Sequence, residues 1–202
     1  KSFTTRRVTA IQFGKVIYST IVSFQTPEEG FTHQMKMPEV PPPEALDSYD
    51  ELRRKYGTTI TPALLRFIDR ERPVEMRFVE LERFFGKPHQ GPINVWFRLK
   101  TKLPDDPLYH RFVLAFASDM ALIDVALAPH GRSIFEPGIL AASLDHALWF
   151  HRDGRLDDWV LYHQDSPNMG GGRGLARGLI FGRDGALLAS VAQEGMLRLR
   201  HG

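Results

Sequence analysis

The stretch from Phe112 to Leu127, FVLAFASDMALIDVAL, is almost continuously apolar yet carries Asp119 in its middle. Its length and composition predict a helix over residues 108–127, entered through Pro104–Pro107 and closed before Pro129-His130-Gly131. A helix that is hydrophobic all round is a buried helix, and a carboxylate inside one is costly unless a neighbour uses it. The same helix is too short and too acid-bearing to cross a bilayer comfortably. Two later segments hold comparable oddities, Ser143 within GILAASLDHALWF and Gln193 within ALLASVAQEGMLRL. An acid, a hydroxyl and an amide brought together on facing elements are able to hold and activate a water.

The rest of the chain sets the frame for that helix. Residues 6–13 and 15–24 alternate apolar and polar positions around Gly14-Lys15 and read as an antiparallel hairpin, a unit of marginal stability alone. From Thr26 to Glu44 the sequence is rich in Pro and charge and ends in Pro41-Pro42-Pro43, which favours an extended linker. A short helix follows, with Asp47-Ser48 and Thr61-Pro62 as start signals and Leu64, Leu65 and Ile68 as its weak apolar face. A second compact unit begins near Pro73, with VEMRFVELERFF and INVWFRLKT as strands before the helix. Strands at about 139–152, 158–167 and 173–199 come after it, the last folded back at Gly182-Arg183-Asp184-Gly185. Residues 74–202 are therefore expected to form one long helix enclosed by an antiparallel sheet of five or six strands, an α+β arrangement.

Composition excludes several chemistries. The 202 residues contain no cysteine, which rules out thiol nucleophiles, disulfides and cysteine metal sites. The formal charge of +2 is spread among acids and bases without a basic stripe, so nucleic acid is not an expected partner. The start lacks the apolar run of a signal peptide, and the ending RLRHG carries no peroxisomal Ser-Lys-Leu. A cytoplasmic protein is expected, with the peroxisome open should a C-terminal signal have been trimmed.

Strand parity sharpens the polar oddities. Leu187, Ala189, Val191, Gln193, Gly195, Leu197 and Leu199 share one face of the last strand, which puts Gln193 on the core side; a Gln capping a backbone group would sit there equally well. Ser143 shares a face with Asp145, Ala147 and Trp149, whereas His146 points the other way, so strand parity gives no Ser-His-Asp triad. No G-x-S-x-G elbow and no H-E-x-x-H occur. The stretch Asn168 to Gly174 is phosphate-loop-like only in composition; it reads as a flexible loop beside a ligand channel, with Arg173 a weak phosphate partner.

The stretches SFTTRRVTAIQFGK, VSFQTPEEGFTHQ, FVLAFASDMALIDVALAPHG, FEPGILAASLDHALWFHR and ASVAQEGMLR resemble those of the acyl-CoA thioesterase II family, with LDHALWFHR followed by QEG the most specific. The resemblance covers nearly the whole chain and implies two hotdog domains. Residues 1–25 would be the last strands of a first hotdog domain, 26–73 a linker with a short helix, and 74–202 a complete second hotdog domain. Members of this family are longer at the N-terminus, so the resemblance implies that the helix and early strands of the first domain are missing. In that family an Asp on the hotdog helix, a Thr or Ser on the next strand and a Gln on the final strand serve catalysis, positions matched by Asp119, Ser143 and Gln193.

The implied reaction is hydrolysis of an acyl-CoA to free fatty acid and CoA, without a cofactor, by a homo-oligomer. Asp119 would be the general base, with Ser143 and Gln193 holding the water. Two alternatives stand beside it. A hotdog enoyl-CoA hydratase would want a His paired with the Asp, and none follows Asp119 closely before His130. A chain that binds acyl-CoA without turnover is the other.

Overall fold

The structure, a computed structural model, describes residues 2–200. It divides into two compact units, one ending at Gln34 and one beginning at Met35. In the first, β1 (Phe3–Gln12) and β2 (Lys15–Gln25) form an antiparallel hairpin. Its turn is Phe13-Gly14, at φ 50° and 74°, one residue earlier than expected and of the kind whose twist suits a tight hairpin. Phe13 and Ile21 are 95% and 72% exposed, so the ribbon buries little apolar surface of its own.

The second unit opens with a segment that is no linker. Met37, Val40 and Leu46 lie against Trp96, Trp159, Leu161, Phe181 and Leu187 on the outer face of the sheet described below. Trp96 Nε1 donates to the Pro41 carbonyl at 2.9 Å. Extended proline-rich backbone has no hydrogen bonds within itself, which leaves such carbonyls free for a neighbour. Two short helices follow, where one was expected. α1 (Tyr49–Tyr56) starts at a Ser48–Glu51 capping box, and α2 (Pro62–Asp69) at Thr61 with Pro at its first position. Their Leu52, Leu64 and Ile68 are buried in the main core, so residues 35–73 belong to the domain.

Seven strands make one sheet: β3 (Val74–Phe78), β4 (Ile93–Leu99), β5 (Ile139–Ser143), β6 (Ala147–Phe150), β7 (Val160–Gly170), β8 (Arg173–Gly182) and β9 (Leu187–Leu199). The lateral order is β3-β4-β7-β8-β9-β5, every described pairing antiparallel, and β6 also pairs with β9. β5 and β6 lie end to end along β9, opposite residues 195–199 and 189–192 respectively, so seven strands fill six positions. The expected single strand over 139–152 is interrupted at 144–146 because Glu194 N–H donates to the Asp145 carboxylate at 2.8 Å. A side chain there replaces a ladder acceptor and throws the backbone out of register. VEMRFVELERFF likewise stops at Phe78 as a strand, since the Glu80 carboxylate accepts from Asn94 N and Nδ2 at 2.6 and 2.9 Å, and residues 82–85 turn into a 3-10 helix.

The central helix, α3 (Pro107–Ser118), lies on the inner face of the sheet with Leu114 and Ala117 in the main core beside Met76, Phe97, Tyr162 and Val191. It is 12 residues long, not the expected twenty; a 3-10 stretch, Ile123–His130, follows Asp119. By length and composition the run Pro107–His130 would pass for a membrane span, but the α-helical part rises only about 18 Å against a hydrocarbon core of about 30 Å. The outward face of α3 carries Leu108, Tyr109, Phe112 and Phe116, each 48–60% exposed.

Candidate active site at the end of the central helix

What ends α3 also places Asp119. Asp106 caps its start, accepting from Leu108 N–H, and Pro107 fills the first position. At the other end the Ser118 carbonyl, one of the helix's unsatisfied acceptors, receives Tyr162 Oη at 2.9 Å. Burial, joined by the nearby Asp119 charge, pushes the Tyr162 hydroxyl far above the usual phenol range, so it remains a donor. The Tyr162 ring reaches this point by lying over Gly178, where an added Cβ would stand 2.2 Å from the ring. Asp119 is the residue that steps off the helix.

The acid buried within the apolar run is therefore not Asp119, whose side chain is 55% exposed, but Asp124. Asp124 Oδ2 accepts from Arg83 Nε at 2.8 Å and Oδ1 from Ile134 N–H at 2.8 Å, both ionic side chains being almost wholly enclosed. This pair pins the 3-10 stretch directly after Asp119. The stretch also packs tightly on the sheet: a Cβ on Gly195 would meet Ile123 Cδ1 at 2.1 Å, and one on Gly174 the Ala126 Cβ at 2.6 Å. Gly195 completes the Gln193-Glu194-Gly195 motif, so the motif supplies both an amide and the space that lets residue 123 approach.

Three residues expected to act together do converge. Gln193 Nε2 donates to Asp119 Oδ1 at 2.5 Å, and Ser143 Oγ donates to the same oxygen at 3.4 Å. Gln193 is fully buried on the core face, as parity predicted; its Oε1 is enclosed and has no hydrogen-bond partner among the described residues. Leu187 departs from that parity. A bulge between Ile180 and Phe181 shifts the register, so Leu187 joins the outer cluster and Leu188 the inner one. Ser143 is exposed at the end of β5.

A fourth group stands beside them. His146 Nδ1 lies 3.9 Å from Asp119 Oδ1, and its Nε2 is 2.8 Å from Ser118 Oγ. Parity assigned His146 to the face away from Ser143, but parity holds only along a continuous strand, and the chain breaks at 144–146. Arg173 is placed elsewhere, its Nε donating to Glu194 Oε1 at 3.0 Å on an exposed part of the sheet. The glycine run around it is no flexible loop: Gly171 and Gly172, at φ 58° and 73°, make a two-residue turn between β7 and β8. Among the described residues no three His, Asp or Glu side chains group as a metal site would require.

A helix lying across one antiparallel sheet defines a hotdog fold, here with an oriented carboxylate at the end of the helix. A hotdog protein from Alicyclobacillus acidocaldarius shares the fold at TM-score 0.73 and 18% identity over 100% of this chain and 69% of that one. An acyl-CoA thioesterase II from Mycobacterium marinum matches at 39% identity and TM-score 0.78, over 100% of this chain and 71% of that one. Acyl-CoA thioesterase 2 of Haemophilus influenzae is 37% identical across 98% of this chain and 70% of its own length. Acyl-coenzyme A thioesterase 8 of Mus musculus is 37% identical across 98% of this chain, which spans 64% of that relative. The family model described as acyl-CoA thioesterase matches residues 65–196. The chain belongs to the acyl-CoA thioesterase family.

Proposed function

We propose that this chain carries the hydrolytic site of an acyl-CoA thioesterase and that Asp119 is its general base. The observation that carries this reading is the convergence of Gln193 Nε2 and Ser143 Oγ on one oxygen of the Asp119 carboxylate. Two donors from β9 and β5 fix the orientation of an otherwise half-exposed side chain and leave Oδ2 without a hydrogen-bond partner among the described residues. The roles of Ser143 and Gln193 thus extend from holding water to holding the base. Orienting a catalytic group in advance is worth several orders of magnitude in rate.

In the reaction, the oxygen of a water attacks the thioester carbonyl carbon as Asp119 takes one of its protons. The carbon–sulfur bond then breaks, the fatty acid is released, and the CoA thiolate recovers a proton from Asp119. A thioester is a reactive electrophile, so a positioned water and a positioned base meet the main demands. His146 beside Asp119 is the one feature that favours the hydratase alternative. Family membership and the Ser143–Asp119–Gln193 arrangement favour hydrolysis.

The test is Asp119→Asn in the full chain, assayed by release of free CoA thiol from a medium-chain acyl-CoA alongside loss of the enoyl chromophore from an enoyl-CoA. Thiol release by the parent and its collapse in the variant are expected. Undiminished release in Asp119→Asn would remove Asp119 from the mechanism. Chromophore loss without thiol release would replace hydrolysis by hydration.

A further inference from the structure

Proton bookkeeping around Ser118 says what His146 can do. The Ser118 hydroxyl has one proton, and Oγ lies 3.0 Å from the Ala115 carbonyl one turn back, the usual destination of a serine proton inside a helix. With that proton spent, Ser118 Oγ can only accept from His146 Nε2, 2.8 Å away. Neutral His146 is thereby held as the Nε2–H tautomer, and Nδ1 keeps a bare lone pair.

Nδ1 itself lies 3.9 Å from Asp119 Oδ1. Two acceptors at this separation share no proton and are beyond direct hydrogen-bond reach. A single two-proton donor between them bridges the two, satisfying Nδ1 and joining Gln193 Nε2 and Ser143 Oγ as a third donor to Asp119 Oδ1. With about 2.8 Å to each atom, the angle at that donor is roughly 90°, near the opening angle of a water molecule.

We propose that His146 is a second acceptor of the attacking water, receiving one of its hydrogen bonds at Nδ1 while Asp119 receives the other. This rests on Asp119 being the base. It adds a group that orients the water from a direction the carboxylate alone does not define. With both protons directed at Nδ1 and Asp119, the lone pairs of the water oxygen are left free for the attack on the thioester carbonyl. Asp119 takes the proton; His146 orients the water and changes no bond. Ser118 is a positioning residue, acting through the tautomer it imposes on His146.

Two substitutions separate the ring nitrogens. Asn places an amide oxygen close to where Nδ1 stands and does not reach Ser118, whereas Gln reaches towards Ser118 and leaves nothing at Nδ1. The full chain is assayed by CoA-thiol release, and thermal unfolding checks that each variant is folded. His146→Asn is expected to keep kcat within about three-fold of the parent, and His146→Gln to lose roughly ten-fold or more in kcat at unchanged KM. A wild-type kcat in His146→Gln, the reverse ranking, or equal losses in both would overturn the assignment. Should either His146 variant not fold, Ser118→Ala tests the same point. It frees the tautomer and is expected to lower kcat several-fold at unchanged KM, and an unchanged kcat there would also overturn it. Asp119→Asn, run in parallel, keeps the two readings apart. Full activity in that variant defeats the general-base reading itself, whereas an inactive Asp119→Asn beside a fully active His146→Gln removes His146 alone.

Discussion

Replacing Arg83 by Met leaves the Asp124 carboxylate charged, enclosed and without its cation. The Arg83 and Asp124 side chains are 1% and 4% exposed and 2.8 Å apart, and Asp124 also accepts from Ile134 N–H, so little solvent is available to relieve the stranded charge. Breaking one partner of such a buried pair costs about 3–5 kcal/mol. For a unit of this size each kcal/mol moves the melting midpoint by about 2–4 °C, giving a fall of about 6–20 °C. Calorimetry or circular dichroism on the full chain reads it directly. The double variant Arg83→Met with Asp124→Asn is expected to recover most of the loss. It removes both charges yet retains an amide oxygen for Ile134 N–H, and replacing a whole buried ion pair is often close to neutral. A single variant that loses less than about 1 kcal/mol, or a double variant no better than the single, would refute the reasoning.

Two further outcomes can be checked in the same way. Arg155 donates to Asp157 from Nε and Nη2, both at 2.9 Å, and with Leu103 N–H holds that carboxyl well below the usual range despite the opposing effect of burial. A depressed folded-state value means stability that is present above about pH 4 and lost as pH falls through the lower folded value, so Asp157→Asn should destabilise at pH 7 and progressively less on acidification. A pH-independent loss in urea titrations would contradict it. Gly174→Ala should cost about 1–3 kcal/mol, because its Cβ meets the Ala126 Cβ at 2.6 Å and an alanine has no rotamer to yield; Ala126→Gly should restore the unfolding midpoint, and no restoration would place the clash elsewhere.

The sheet was legible because alternation and turn residues are local signals: the Gly182–Gly185 hairpin and the inward side of Gln193 needed nothing from afar. The candidate residues Asp119, Ser143 and Gln193 were legible through the resemblance as much as through pattern. What escaped depends on partners distant in the chain. α3 ends where Tyr162 takes the Ser118 carbonyl, and nothing between residues 108 and 127 announces a tyrosine on β7. Asp124 matches Asp119 in residue type and apolar setting, and only their partners in the fold, Arg83 and Ile134 N–H for one and Gln193 and Ser143 for the other, distinguish the enclosed acid from the oriented one. His146 was hidden by a parity rule that a single Asp145–Glu194 hydrogen bond suspends. The polar run Asp145-His146 between Leu144 and Ala147 is the local hint that such a break was available.

The proline-rich strap across the outer face has a consequence for the order of events in folding. Residues 37, 40 and 46 rest on Trp96 and Trp159 from the middle of the chain and on Phe181 and Leu187 from near its end. During synthesis the strap leaves the ribosome before any of the strands that will receive it. Its seat is complete only when β8 and β9 have joined the sheet, and contacts of such wide sequence separation close slowly. The first part of the domain to be made is thus among the last to settle. Until then the outer face of the sheet shows its two tryptophans to the cell.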